Sequence, residues 1–453
     1  MSKLAKRELQ KQLSELGQIN EQMLGVLENE DWEQLIGLLT ECQQRAIEIG
    51  NRIEALIGTG TKSVELLEKY CENLYRQAQI EQDRQDAIAG FELLEAQLKE
   101  VRELISEEIS EKKEVVFFPY KASMWDSLES IWRAAVSKPE LDVYVVPIPY
   151  YDKLLDGSLG EMHYEGGEYP PEVQVVDWRE YAYEMRKPDV VFIHNPYDNG
   201  NRVTTVEPRF YSSVLKQHTE MLVYVPYFLC LDGISEELCS NSAVLHADKV
   251  IVQSERIQKM YKNTYIKLLG QRQREQEQQG EPHNEAFWMT LQMMAERKFL
   301  ALGSPKIDKV LETKQTDCQI PKEWKDMLTV GRKDGKKVIF YNTSLAALLK
   351  NADAMLDKIE QVLEIMRESR DAILLWRPHP LYEQTLVTMR TQLLERYHKI
   401  VTEYKEANWG IFDDTPDLNR AIVLSDAYYG DNSSVAALFE AVEKPVLIQN
   451  VVL

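Results

Sequence analysis

Proline is absent from the first 118 residues of this 453-residue chain, and all 17 prolines lie at or after Pro119. Proline fixes φ and lacks a backbone donor, so a long stretch without it leaves helix formation unobstructed. The same stretch is rich in Glu, Gln, Leu and Lys, which are good helix formers. Its apolar residues recur on helical steps: Leu9, Leu13, Leu16, Met23 and Leu27, with Asn20 in one slot. Leu35, Leu39, Cys42, Ala46, Ile49, Ile53 and Leu56 repeat the pattern, then Phe91, Leu94, Leu98, Val101 and Ile105. Breaks fall at Asn29-Glu30-Asp31, where Asp31 is suited to cap the next helix, and at Gly58-Thr59-Gly60. Residues 1–112 therefore read as a coiled-coil-like domain of three or four antiparallel helices, the last ending near Ser110. Such helices bury against each other or against a partner, which makes this domain the candidate region for a protein partner or self-association. A lone Asn in the seam either fixes register or sits at a wet edge, and Asn20 is open to both readings.

After Lys113 short β-branched and aromatic runs alternate with helical stretches. The runs begin at Glu114, Asp142, Asp189, Met221, Lys249 and Phe299, and a second set begins at Lys337, Ala372, Lys399, Asp426 and Pro445. Continuous apolar runs of this kind suit parallel strands covered by helices on both faces. The spacing predicts two doubly wound α/β domains facing each other, over residues 113–312 and 313–453. Helices are expected between the strands, for example over 352–369 and 435–443. Residues 271–285, polar and Gln-rich without apolar period, read as an exposed loop or a frayed helix end.

Charge and cysteine usage narrow the function classes. Lys and Arg number 53 against 74 Asp and Glu, a formal net charge of -21, which disfavours nucleic-acid binding by general electrostatics. Five scattered cysteines with no CxxC pair indicate neither a zinc ribbon nor a disulfide framework. The N-terminus has no apolar signal core, and no run approaches the roughly 18 apolar residues of a spanning helix. A cytoplasmic protein is expected. Lys3, Lys6, Arg7 and Lys11 make only a short basic tip, so attachment at the inner membrane face is left open.

In doubly wound sheets ligands sit beyond the carboxyl ends of the strands, so the segments after each strand are the ones to inspect. Arg377-Pro378-His379-Pro380 follows one strand; its prolines fix the backbone around an imidazole suited to acid/base work, beside planar donors suited to phosphate. Gly430-Asp431-Asn432-Ser433-Ser434 follows another and opens a helix, whose free N–H groups and dipole favour an anion. Asn342-Thr343-Ser344 supplies small polar donors after a third, and Gly303-Ser304-Pro305-Lys306-Ile307-Asp308 forms a turn carrying one cation. Each of these segments alone is also an ordinary turn or cap. No DxD or His/Asp cluster with metal-ligand spacing stands out, so neither a metal nor a cofactor is expected.

In combination and order, these segments resemble the CDP-glycerol glycerophosphotransferase family, the teichoic-acid-type polymerases and primases. The resemblance spans roughly residues 114–450 and is strongest from Phe299 onward. It implies a GT-B-like pair of Rossmann-type domains behind the helical one. It also implies a transferase that moves an alditol phosphate from a CDP-linked donor to a lipid-linked or polymer acceptor hydroxyl in surface-polymer synthesis. Asp431-Asn432-Ser433-Ser434 is similar to the family's DYSS box, with Asn432 in place of Tyr, and Gly303 to Asp308 is similar to its GxPRxD turn, with Lys306 in place of Arg. By that resemblance Arg377, Lys306, Asp431, Asn432, Ser433, Ser434, Gly303, Asn342, Thr343 and Ser344 hold the nucleotide phosphates, and His379 is required for function. The family's Trp-His-Gly turn is replaced here by Pro226-Tyr227-Phe228. His194, at the end of the adjacent strand, could reach the same cleft as the substitute acid or base, or else is a polar residue of the rim. Asp126, on a loop loosely similar to the acceptor side, is a candidate base or else a solvated first-turn carboxylate. Two other readings compete: a GT-B glycosyltransferase using a nucleotide sugar, and a decayed scaffold acting through its helical front.

Overall fold

The computed structural model describes residues 3–29, 31–79, 84–109, 112–154, 156–201, 204–231, 233–280, 282–415 and 417–449. The chain divides into two compact units, one of Met1–Val115 with Val136–Val143 and Ala182–Asp189, the other of the remaining residues.

The N-terminal segment of the first unit forms α1 (Lys3–Glu28), α2 (Trp32–Ile57), α3 (Lys62–Gln77) and α4 (Arg84–Glu108). Each packs on the next and α1 closes on α4, making a four-helix bundle. The periodic residues other than the exposed Leu56 are its core, including Leu9, Leu16, Met23, Leu39, Ile49, Leu94 and Val101. Asp31 caps α2 by accepting from the Gln34 N–H at 3.1 Å, and Thr61 caps α3 through Val64. Asn20 is not at a wet edge. It is buried, and its Oδ1 accepts from the Tyr70 hydroxyl at 2.7 Å.

Among the described residues fourteen strands follow: β1 (Lys113–Phe118), β2 (Leu141–Val145), β3 (Tyr150–Lys153), β4 (Leu159–His163), β5 (Val190–Ile193), β6 (Thr204–Val206), β7 (Met221–Tyr224), β8 (Lys249–Val252), β9 (Phe299–Ala301), β10 (Lys337–Thr343), β11 (Ala372–Pro378), β12 (Ile411–Phe412), β13 (Ala427–Gly430) and β14 (Val446–Ile448). One sheet has the order β2-β1-β5-β7-β8-β9, with β5, β7, β8 and β9 paired in parallel. Another has the order β12-β11-β10-β13-β14, parallel throughout. The chain is thus an α/β protein with two sheets paired in parallel, preceded in sequence by a helical region. β10 shows why the apolar runs read as central strands: all but its first residue and Ile339 are buried.

One expectation is corrected. Lys399-Ile400-Val401 is not a strand but part of the helix Leu394–Ala407. Tyr397, Ile400 and Tyr404 fall on its one buried face, and the true edge strand β12 is only two residues long. Of the two readings of the Gln-rich stretch the helical one holds over Gln271–Gln278, which lies outside the core and is held by i,i+4 contacts such as Gln271 with Glu275. A small antiparallel sheet, β4-β3-β6, was not foreseen, because its strands are short and partly polar. Among the described residues no helix is long and apolar enough to cross a membrane.

Candidate functional site

In the sheet β12-β11-β10-β13-β14 the strand order reverses between β10 and β13, and at such a point the chain diverges and leaves a crevice beyond the carboxyl ends. Three of the segments singled out from the sequence meet here. Asn342 stands in register with Arg377 on one side and Gly430 on the other. Its side chain donates to the Arg377 carbonyl at 3.3 Å and accepts from the Tyr428 hydroxyl at 3.2 Å. The Thr343 carbonyl accepts from the His379 N–H at 3.0 Å, and the Ser344 N–H donates to Asp431 Oδ2 at 2.6 Å. Gly430 has φ +139, and a Cβ there would lie 2.3 Å from the Asn342 carbonyl oxygen, so only glycine lets β13 turn away so close to β10.

Beyond Gly430 the chain enters the helix Ser434–Ala441. Ser433 caps it, accepting from the Ala436 N–H, and lies 3.2 Å from the Tyr428 hydroxyl. Asn432 and Ser434 are exposed at this helix start. Asp431 is buried and ion-paired with Lys358 at 2.7 Å, so it fixes the turn rather than facing a ligand. Lys358 was missed from the sequence. Its signal is a lysine in phase with Met355, Leu356, Ile359 and Val362 on a buried helix face. Ser344 caps the helix Leu345–Asn351, and Thr343 is buried under Trp376, whose indole N–H reaches its hydroxyl.

His379 is exposed beside this turn. Its Nδ1 accepts from the Leu381 N–H at 3.1 Å, so in the neutral ring the proton sits on Nε2, which is then a donor. Desolvation by the surrounding chain pushes its pKa below the ordinary histidine value, favouring that neutral form. Arg377 departs from expectation. Strand alternation turns it onto the face of Ile373 and Leu375, where it is buried and ion-paired with Asp413 rather than open to a phosphate.

A second cluster forms where Gly303, at φ +96, leads into the helix Pro305–Glu312. Lys306 donates to both oxygens of Asp126 at 2.6 and 2.7 Å. Two candidates from distant sequence thus meet, as an ion pair rather than as a free cation and a free carboxylate. Further pairs run alongside: Lys309 with Glu129, and Arg133 with Glu312. The Pro305–Glu312 helix also packs on the Ser434–Ala441 helix, so the two clusters are neighbours.

His194 is not on a rim. It is fully buried, because the loop after β1 closes over it: Nε2 accepts from the Tyr120 N–H at 3.0 Å, and Nδ1 lies 2.9 Å from the Ser127 hydroxyl. Since Ser127 gives its own proton to the Met124 carbonyl, Nδ1 carries the ring proton and donates to Ser127. Burial, and secondarily the Lys306 charge, push its pKa down to about 3. His194 is therefore a neutral brace of the Tyr120–Ser127 loop. In addition, β3 and β4 bring Asp152, Glu161 and His163 together, a grouping not singled out from the sequence.

A glycine turn, paired hydroxyls at a helix start and an imidazole donor thus meet at a strand-end crevice of a parallel α/β sheet, the candidate site. Residues 278–451 match the family model of CDP-Glycerol:Poly(glycerophosphate) glycerophosphotransferase, so the resemblance read from the motifs is shown over that span. No curated protein matches. Among solved structures, the wall teichoic acid polymerase TagF is similar at 13% identity and a TM-score of 0.39, covering 84% of this chain and 78% of that one. A UDP-bound MnaA of S. aureus is similar at 15% identity and 0.43, covering 74% and 78%. A Methanocaldococcus jannaschii UDP-GlcNAc 2-epimerase is similar at 12% and 0.41, covering 74% and 83%.

Proposed function

We propose that this chain transfers an alditol phosphate, glycerol phosphate in the first instance, from a CDP-linked donor to an acceptor hydroxyl of a lipid-linked or polymeric substrate. The observation that carries this reading is the meeting of three strand-end segments at the switch point of a sheet inside the matched span. The acceptor oxygen attacks the β-phosphorus, a new P–O bond forms, and the bond to the CMP oxygen breaks. Such a transfer asks little covalent work of the protein and much alignment and charge stabilisation.

The start of the Ser434–Ala441 helix, with Ser433, Ser434 and Asn432, receives the diphosphate. His379 Nε2–H donates to a non-bridging oxygen, where charge builds as CMP departs. Lys306 is the mobile charge. An arriving diphosphate competes with Asp126 for it and frees that carboxylate to take the acceptor proton. Arg377, Asp431, Asn342 and Thr343 hold this arrangement in place without touching the donor, and His194 does the same for the acceptor-side loop. No bound cofactor enters the scheme. Work on a lipid-linked acceptor would place the protein at the cytoplasmic membrane face.

Calorimetric titration with CDP and CMP tests this reading. Binding to the wild type and at least about tenfold weaker binding to Ser433→Ala/Ser434→Ala are expected, equivalent to about 1.4 kcal/mol. Equal affinity in the two proteins would remove the helix start from the site, and a response to UDP or GDP instead would favour a sugar-nucleotide donor. The replacement of Trp-His-Gly by Pro226-Tyr227-Phe228 keeps a second reading alive, a nucleotide-binding scaffold without turnover. Binding of CDP-glycerol with no release of CMP in the presence of acceptor would establish it.

A further inference from the structure

The β3–β4 hairpin carries a second chemical feature, outside the residues assigned to phosphate binding. Side chains two apart on a strand share a face, so Glu161 projects with His163, and Asp152 with Tyr150. Tyr150 pairs directly with His163 across the ladder, which puts all four on one side of the hairpin. Asp152, Glu161 and His163 each turn one ligand atom inward, and these atoms lie within 4.8 Å of one another. The register shifts between Tyr151 and Lys153, at Asp152 itself, and such a bulge re-aims a side chain.

Among the described residues the cluster's one ionic partner is its own imidazole, although the Lys121 ammonium stands 4.8 Å from the centroid of the neighbouring Tyr150 ring. His163 Nε2 lies 2.9 Å from Asp152 Oδ2, and its ring is stacked on Tyr150 at 5.0 Å, which fixes its orientation. Lys153, the nearest cation in sequence, is turned away and donates to the Asn199 carbonyl at 2.5 Å. Among the described residues no lysine or arginine pairs with Asp152 or Glu161. Glu165, the next acid along, is already used: it accepts from the Tyr150 hydroxyl at 2.7 Å and from the Ala122 N–H at 2.8 Å. That second bond ties the hairpin to the loop braced by His194.

We propose that Asp152, Glu161 and His163 bind one divalent transition-metal ion, through one oxygen of each carboxylate and His163 Nε2, with water completing the coordination. Two carboxylates balance a dication and accept manganese, and the imidazole favours zinc or its neighbours over calcium or magnesium. The ion locks the hairpin and, through Tyr150 and Glu165, steadies the loop after β1. This inference does not rest on the transferase reading, since metal binding is measured without nucleotide.

The test uses the full chain stripped of metal with chelator and then dialysed. Mn(II) is titrated by electron paramagnetic resonance, with Zn(II) as competitor in a thermal melt. The expected result is one saturable Mn(II) per chain, displaced by Zn(II), with affinity lowered at least about tenfold by His163→Ala and by Glu161→Gln. Zn(II) should raise the melting temperature of the wild type and leave both variants unmoved. Glu161 is exposed, so Glu161→Gln keeps the fold even if His163→Ala does not. No saturable binding to folded wild type would overturn the proposal. So would equal binding by wild type and Glu161→Gln, which would mark an adventitious surface ion.

Discussion

Replacing His194 by Gln should remove a pH-dependent component of stability while keeping one donor and one acceptor in place. In the native chain the imidazole is fully buried, and its pKa is pushed down to about 3 by burial first and by Lys306 second. In the unfolded chain it returns to an ordinary value of about 6.5. Above that pH both states hold a neutral ring and the group contributes fully. Below it only the unfolded chain takes the proton, so stability is lost as pH falls toward the native pKa. Between pH 7 and pH 5 the unfolded state gains about 2 kcal/mol from this one group, at about 1.4 kcal/mol per pH unit. The assay is denaturant unfolding followed by tryptophan fluorescence for wild type and His194→Gln at both pH values. The difference between the two proteins cancels the other titrating groups. The variant should be weaker at pH 7, since glutamine fills the ring's place poorly, and the gap should close by about 2 kcal/mol at pH 5. A gap that stays constant across that range would show the imidazole titrating in the native state and refute its role as a neutral brace.

Asp413→Ala should leave Arg377 buried without its partner and cost about 3–5 kcal/mol, read as a lowered melting temperature. Gly430→Ala should abolish CDP binding in calorimetry, because the added Cβ meets the Asn342 carbonyl oxygen and pushes β13 from β10. Asn20→Leu alone should destabilise the bundle by about 1–3 kcal/mol by stranding the Tyr70 hydroxyl. Asn20→Leu with Tyr70→Phe should recover most of that loss, a contrast visible in helical circular dichroism on heating.

The helical front could be read from the sequence because one period, repeated without proline, fixes both the elements and their buried faces. The switch-point segments could be read because glycine, cap residues and proline act locally. Where the reading went astray, the deciding partner lies far along the chain. Arg377 finds Asp413 at a separation of 36 residues, and Lys306 finds Asp126 at 180. No local pattern announces either pairing, so both cations looked free. His194 was placed on the rim by the rule that strand ends face a crevice, but the loop of Tyr120 and Ser127 folds back over it. Lys399-Ile400-Val401 shows the limit of a three-residue apolar run, which a buried helix face explains as well as a strand. The β3–β4 hairpin went unseen for the opposite reason, being too short and too polar to stand out.

The central claim is that the start of the Ser434–Ala441 helix and His379 grip one diphosphate. A crystal of the full chain soaked with CDP tests it most directly. The expected density puts the β-phosphate against Ser433 and Ser434, with a non-bridging oxygen within hydrogen-bond reach of His379 Nε2. Ordered CDP seated elsewhere, with that helix start left to water, would contradict the account.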